Sequence, residues 1–390
     1  MILRGLELVG SDRPLSDVVV SGGTIARVRT AIASRVQLPA PGEAELAFTN
    51  AIASPGLVNS HDHLEFDLYP SLGHRRYGDY REWGDDIHAC DATTIAAMES
   101  LPRRLRLEWG ALKNLLAGVT TTAHHGPSGD DQALESLPIA CIQRGTSIHS
   151  VHLGGRWRWR LNAPWASGAR EPYVFHVGEG TSDDAHREID ELIRWNVFAR
   201  ELVAVHAIAM SDAQAPHFRA VVWCPLSNEF LFGATADVAG LKGRTAILFG
   251  TDSTLTANWN LRTHLRHARA AGVLSDEELF ASLTTTAADV WRLPPSGIQE
   301  GAPANLVVAR KKHEHRWDAF FAIDPEDLLL VLHGGVALLA DASVKGVDVA
   351  APNTRIRING SEKTVATDVG RLLTGIRAGG VEPNIPFVLV

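Results

Sequence analysis

Apolar and polar residues alternate singly over the first fifty positions, and then the rhythm changes. LRGLELVG, DVVVSGG and TIARVR place apolar side chains two apart, the period of a half-buried strand. Gly22-Gly23 between the last two segments predicts a tight hairpin. Pro39 to Gly42 interrupts this unit. From about residue 52, short apolar runs alternate with stretches of helical period, the pattern of parallel strands joined by helices. Predicted strands cover 52–59, 118–123, 146–153, 173–177, 202–208, 220–224 and 245–250. Leu105, Trp109, Leu112 and Leu116 share one helical face, Ser182 is a predicted N-cap, and Ser275 with Glu278 forms a predicted capping box. Seven strands leave an eight-stranded barrel one short, and the remaining one is expected within residues 154–172. Past residue 300 the alternation stops: NLVVAR, DLLLVLHGG and VALLADASV read as strands, followed by a helix in TVATDVGRLLTGIRAGG. The two chain ends are therefore expected to build one β domain around an inserted α/β body.

Chemistry gathers where the predicted parallel strands end. His61-Asp62-His63 puts two imidazoles two residues apart, so both project from one face of a strand and Asp62 from the other. His176-Val177-Gly178-Glu179 ends a strand at a glycine, with a carboxylate able to turn back. His206 closes LVAVHA, Ser227 and Asn228 lie in CPLSNEF, and Asp252 lies in LFGTDS. In a barrel of parallel strands these ends converge on one mouth. Three histidines and an aspartate suit a catalytic divalent ion, and a free carboxylate three residues past a ligand can move protons.

Composition narrows the setting. The 390 residues are 45% hydrophobic and 21% charged, an ordinary globular balance. Lys plus Arg total 37 against 45 Asp plus Glu, giving −8. A net-acidic chain is a poor partner for nucleic-acid polymers and anionic membrane surfaces. Cys90, Cys141 and Cys224 are few, odd in number and far apart, which argues for a reducing, cytoplasmic setting. No signal-peptide pattern opens the chain, and no apolar run approaches the ~20 residues of a membrane span. The expected partners are a small-molecule substrate and, at most, further copies of the chain as a homo-oligomer.

The ordered motifs resemble the amidohydrolase superfamily, in its deaminase and chlorohydrolase-like (ATZ/TRZ-type) branch. PGLVNSHDHLEF is similar to that branch's first-strand HxH motif, AGVTTT to its second-strand GVTT, and FHVGEG to its fifth-strand HxxE; VHAI, CPLSN and GTDS come after them in order. NLVV and VALLADASV resemble its C-terminal sandwich strands, with Asn305 where the family usually has Asp. The resemblance implies an α/β fold: a distorted (β/α)8 TIM-type barrel over 53–312, with a small β-sandwich built from 1–52 and 313–390. It implies that His61, His63, His176 and Asp252 bind the metal, that Glu179 is the general acid/base, and that His206 bonds the metal's water or the substrate's polarised atom. Binuclear members bridge their ions with a carboxylated lysine on a barrel strand. No lysine occurs between Lys113 and Lys242, so one ion is expected, zinc first, with iron suited to the same ligands. The implied activity is metal-dependent hydrolysis in which metal-bound hydroxide attacks an sp² carbon bearing nitrogen. Deamination of an amino-substituted N-heterocycle comes first. Opening of a cyclic amide or imide, or displacement of chloride, uses the same site, and a non-catalytic binding protein on this fold is the remote alternative.

Substrate contacts are expected from His125, His152, Trp83 and Asn228. His125 comes just after GVTTTA; its alternative is to cap loop carbonyls. His149 and His152 imitate an HxH pair, with one expected to face the substrate. Tyr69 to His88, carrying Tyr77, Tyr80 and Trp83, is a long insertion of the sort that sets specificity, although some of its aromatics anchor the loop. Ser227 and Asn228 are also expected to hold their loop by side-chain-to-backbone bonds. Arg156 to Arg160 reads as a binding loop, or as a surface strand or part of an oligomer contact, Cys224 as a packed core residue, and His264 and His267 as solvated.

Overall fold

The computed structural model describes residues 1–12, 15–31, 44–126, 131–142, 146–163, 171–384 and 386–390. It is a mixed α/β chain with parallel strands. Eight of these carry labels: β1 Leu57–Asp62, β2 Val119–His124, β3 Ala140–Cys141, β4 Thr146–Ser150, β5 Tyr173–Val177, β6 Leu202–His206, β7 Ala220–Trp223 and β8 Ala246–Phe249. β1, β2 and β3 pair in one sheet, and β4 to β8 pair in order in another, all parallel. A parallel bridge between Asp62 and Asp252 joins the end of β1 to the segment after β8. There the His63 N–H donates to the Asp252 carbonyl, and the Thr251 and Asp252 N–H groups donate to the His61 carbonyl. Strands buried on both faces explain the near-continuous apolar runs VAVH and AVVW.

Two expectations are corrected. The strand missing from the pattern is β3, only two residues long and placed before 146, whereas Trp157–Asn162 is a helix. The run from Arg156 to Arg160 is thus neither strand nor loop. Residues 164–170 of the expected strand region lie outside the described residues. The first predicted strand, 52–59, is shared by two sheets: Glu45–Pro55 ends in one, and β1 begins after Gly56 in the other. A Cβ on Gly56 would lie 2.2 Å from Thr120 Oγ1, so the crossing point packs directly on β2.

Both chain ends enter one ten-stranded sheet. Its order is Val388–Leu389, Thr354–Ile358, Ser361–Val365, Val336–Asp341, Leu328–His333, Leu306–Arg310, Glu45–Pro55, Ile2–Leu8, Ser16–Ser21 and Thr24–Thr30. Gly22 and Gly23, at φ 57° and 80°, make the predicted hairpin turn, which needs positive φ at both central residues. Leu3, Leu6, Val18, Ile25, Leu306 and Leu330 form part of this sheet's own apolar cluster. The predicted helix signals hold: Ser182 Oγ accepts from Ala185 N at the start of Asp183–Trp195, and Ser275 and Glu278 form a reciprocal capping box. Among the described residues, no helix is long and apolar enough to cross a membrane.

Candidate metal centre and active site

His61 lies in β1 and His63 just beyond it; both rings turn inward while Asp62 faces the opposite side. His176 Nε2 stands 3.2 Å from both His61 Nε2 and His63 Nε2. Asp252 Oδ1 lies 3.7 Å from His61 Nε2 and 3.8 Å from His63 Nε2. His61, His176 and His206 form one group able to hold an ion, and His61, His63 and Asp252 form a second; sharing His61, they describe one centre. Zn–N bonds of 2.0–2.1 Å in a tetrahedron separate neighbouring ligand atoms by about 3.3 Å. The 3.2 Å spacing matches that value, so the donor set fits a zinc-sized ion. His176 Nδ1–H donates to the His149 carbonyl at 2.7 Å, which leaves its Nε2 lone pair facing the centre.

His206 is oriented the same way. Its Nδ1 is 2.7 Å from Asn228 Oδ1, and Asn228 Nδ2 donates to Thr235 Oγ1, which fixes the amide's orientation. Neutral His206 therefore presents an Nε2 lone pair, 3.6 Å from Glu179 Oε1. Ser227 Oγ and Thr256 Oγ1 both donate to Asp252 Oδ2, at 2.6 and 2.9 Å, leaving Oδ1 toward the histidines. Ser227 and Asn228 thus act on side chains, not on the backbone as expected. His206, Ala207 and Asp252 have φ of 68°, 50° and 64°, a region unfavourable to residues with a Cβ. Such strain concentrates at functional sites and persists only where surrounding bonds enforce it.

The electrostatics suit a cation. Burial pushes His61 down to about 4, and lowers His176 and His206, so all three are neutral donors at neutral pH. Burial alone would raise Asp252, but the imidazoles beside it, His61 first and then His206 and His63, hold it well below the usual carboxylate range. Glu179 goes the other way: burial first, then Asp252, Glu188 and Asp79, push it well above that range. Two neighbouring carboxyls held apart in this way can divide ligand and proton-carrier roles.

The four residues expected at the substrate differ in what they leave open. His125 is buried, its ring centroid is 4.3 Å from that of His176, and neither ring nitrogen has a hydrogen-bond partner among the described residues. Trp83 spends its indole N–H on the Leu72 carbonyl at 2.9 Å. Asn228 is committed to His206 and Thr235, and His152 Nε2 lies 3.5 Å from Glu188 Oε2. Cys224 is fully buried in an apolar cluster, as expected, and burial holds its thiol well up. His264 is not solvated: it is buried, and Nε2–H donates to the Asn258 carbonyl at 2.6 Å. Glu188 and Asp79 carry no expectation from the sequence, and Tyr80 is expected only as part of the long insertion; all three pack on the Glu179 loop. The helical period that buries Glu188 beside Ile189 and Leu192 was the available signal.

No protein-family model matches the chain, and no curated protein matches it in sequence. Solved structures do match. A zinc-bound adenosine deaminase from Xanthomonas campestris is 16% identical, with TM-score 0.71, over 97% of this chain and 97% of that one. The zinc complex of atrazine chlorohydrolase TrzN from Arthrobacter aurescens TC1 is 17% identical, with TM-score 0.68, over 97% and 99%. Aminofutalosine deaminase from Helicobacter pylori is 14% identical, with TM-score 0.67, over 86% and 99%. The chain shares their fold.

Proposed function

We propose that this protein is a metal-dependent hydrolase that deaminates an amino-substituted N-heterocycle, on a distorted (β/α)8 barrel capped by a β-sandwich from both chain ends. The carrying observation is the division of labour between Asp252, held low with Oδ1 toward three imidazoles, and Glu179, held high and 3.6 Å from His206. His61, His63, His176 and Asp252 would hold one divalent ion, with zinc favoured by the spacing and by the zinc-bound neighbours. When bound, such an ion lowers the pKa of its water from ~15.7 to about 7 and polarises the carbon under attack. Glu179 takes the proton released during attack and returns it to the departing nitrogen. His206 offers its Nε2 lone pair to the ion or to a proton of the attacking water. His125, with both nitrogens open, hydrogen-bonds a ring heteroatom of the substrate, while one face of Trp83 and the rim residue His152 remain for packing. A second reading, displacement of chloride from such a ring, is favoured by the likeness to TrzN and uses the same residues.

The test loads the protein with zinc and screens purines, pyrimidines, pterins, triazines and hydantoins, recording ammonia and chloride together. Ammonia release is expected, with close to one divalent ion per chain by elemental analysis. Chloride release alone would select the second reading, and ring opening with neither product would replace both. A reproducible content near two ions would overturn the single centre.

A further inference from the structure

We infer that Glu188 is a positioning residue for Glu179, acting through the backbone amide of Gly178; the inference rests on the proposed role of Glu179 as proton carrier. Glu188 sits on the helix Asp183–Trp195 and is 2% exposed. Its Oε1 accepts the Gly178 N–H at 2.7 Å, and its Oε2 accepts from the Tyr80 hydroxyl at 3.3 Å. The β5–β6 pairing ends at Val177, so the Gly178 N–H lies beyond the ladder and would be buried without an acceptor.

The bond matters because Gly178 immediately precedes Glu179. Gly178 has φ 64°, and a glycine there is free to choose among widely different backbone conformations. Each would aim the Glu179 side chain in a different direction. Downstream, the loop is already fastened. The Glu179 carbonyl accepts the Tyr80 N–H, Gly180 bridges to Asp79, and the Thr181 N–H donates to the Gly78 carbonyl. Gly180 permits this approach, since a Cβ there would lie 2.5 Å from the Gly78 carbonyl oxygen. Upstream, the Val177 carbonyl accepts the Ala207 N–H and the Gly178 carbonyl accepts the Ala209 N–H; Glu188 supplies the remaining fastening, at the Gly178 N–H. Tyr80 joins the two, giving its N–H to Glu179 and its hydroxyl to Glu188. A carboxylate is otherwise an expensive group to bury. Its two oxygens serve these two donors, with His152 Nε2 also 3.5 Å from Oε2.

Partners one layer out from a reacting group typically contribute 10–100-fold to activity. The zinc-loaded chain carrying Glu188→Ala should lose about 10–100-fold in kcat on the substrate found by screening, with KM and zinc content nearly unchanged. Glu188→Gln keeps an oxygen acceptor and should recover most of the loss. Glu188→Asp withdraws the carboxylate by one methylene and should resemble Ala; it serves as the deletion if the alanine variant does not fold. A readout independent of turnover is the Gly178 amide proton after glycine labelling, expected to shift upfield in the Ala or Asp variant and to stay in place in the Gln variant. Wild-type kcat in the Ala or Asp variant, failure of Gln to restore it, or an unmoved Gly178 resonance would each overturn the positioning role. Glu179→Gln separates the two ideas: wild-type turnover there defeats the reading of Glu179 itself, whereas slow turnover there with fast turnover in the Glu188 variants defeats only this inference.

Discussion

β1 carries two buried polar clusters, one toward the metal centre and one behind it, and they are completed differently. Behind the strand, Asp62 Oδ2 accepts from Asn59 and Asn114 at 2.8 Å each and from Thr251 at 3.3 Å, and lies 3.2 Å from Lys113 Nζ. Lys113 also bonds Asp67 at 2.6 Å. In front, the His176 Nε2 faces those of His61 and His63 across 3.2 Å, and His125 has no partner on either nitrogen among the described residues. The rear cluster satisfies Asp62 internally, while the front one is left open to the proposed cation and substrate. A protein tolerates lone pairs crowded together in its interior when something from outside completes them. The contrast therefore separates scaffold from site within six residues of one strand.

The sharpest way to break that contrast is Asp252→Ala. It should abolish turnover and lower metal occupancy while the metal-free fold stays stable; full occupancy with full activity would show that Asp252 is not a ligand. Next is Glu179→Gln, which preserves shape and removes the proton carrier, so turnover should fall by roughly 10²–10⁴-fold with the metal retained. On the rear side, Lys113→Met leaves Asp62 and Asp67 buried without their cation and should cost about 3–5 kcal/mol in urea unfolding. An Lys113→Met variant of unchanged stability but lost turnover would erase the distinction between the clusters. The smallest effect is on pH dependence. His61 and His264 are both held down to about 4 by burial, below the ordinary 6.5. At these two positions the unfolded chain takes up more protons than the native one between about 6.5 and 4, so the stability they contribute is lost on acidification through that window. The melting temperature of the metal-free protein should fall across it, and His264→Gln should flatten the fall; an unchanged slope would place the effect elsewhere.

Much of the candidate site was legible because its proposed ligands occupy strand ends whose flanking runs are almost wholly apolar. Period-2 geometry alone placed His61 and His63 inward and Asp62 outward. What escaped reading was short or indirect. β3 has two residues, too few for any periodicity to register, and the Trp157–Asn162 helix has less than two turns. Solvent exposure of His264 was inferred from helical spacing, yet its burial depends on the Asn258 carbonyl in a loop packed against that helix. Glu188 was hidden for a different reason: its role runs through a backbone N–H, and no side-chain pattern records where a neighbouring glycine needs an acceptor.

The order of the ten-stranded sheet has a consequence for synthesis. Glu45–Pro55 pairs on one side with Ile2–Leu8, available at once, and on the other with Leu306–Arg310, about 250 residues later. Until that stretch has left the ribosome, the Ala51–Pro55 edge of this strand stays open, and Leu46 and Phe48 lack the cluster partners Leu306 and Leu330. The nascent protein thus carries an apolar strand paired on one side only throughout the making of its α/β body. Its yield in a cell should depend on whatever shields that edge during the interval.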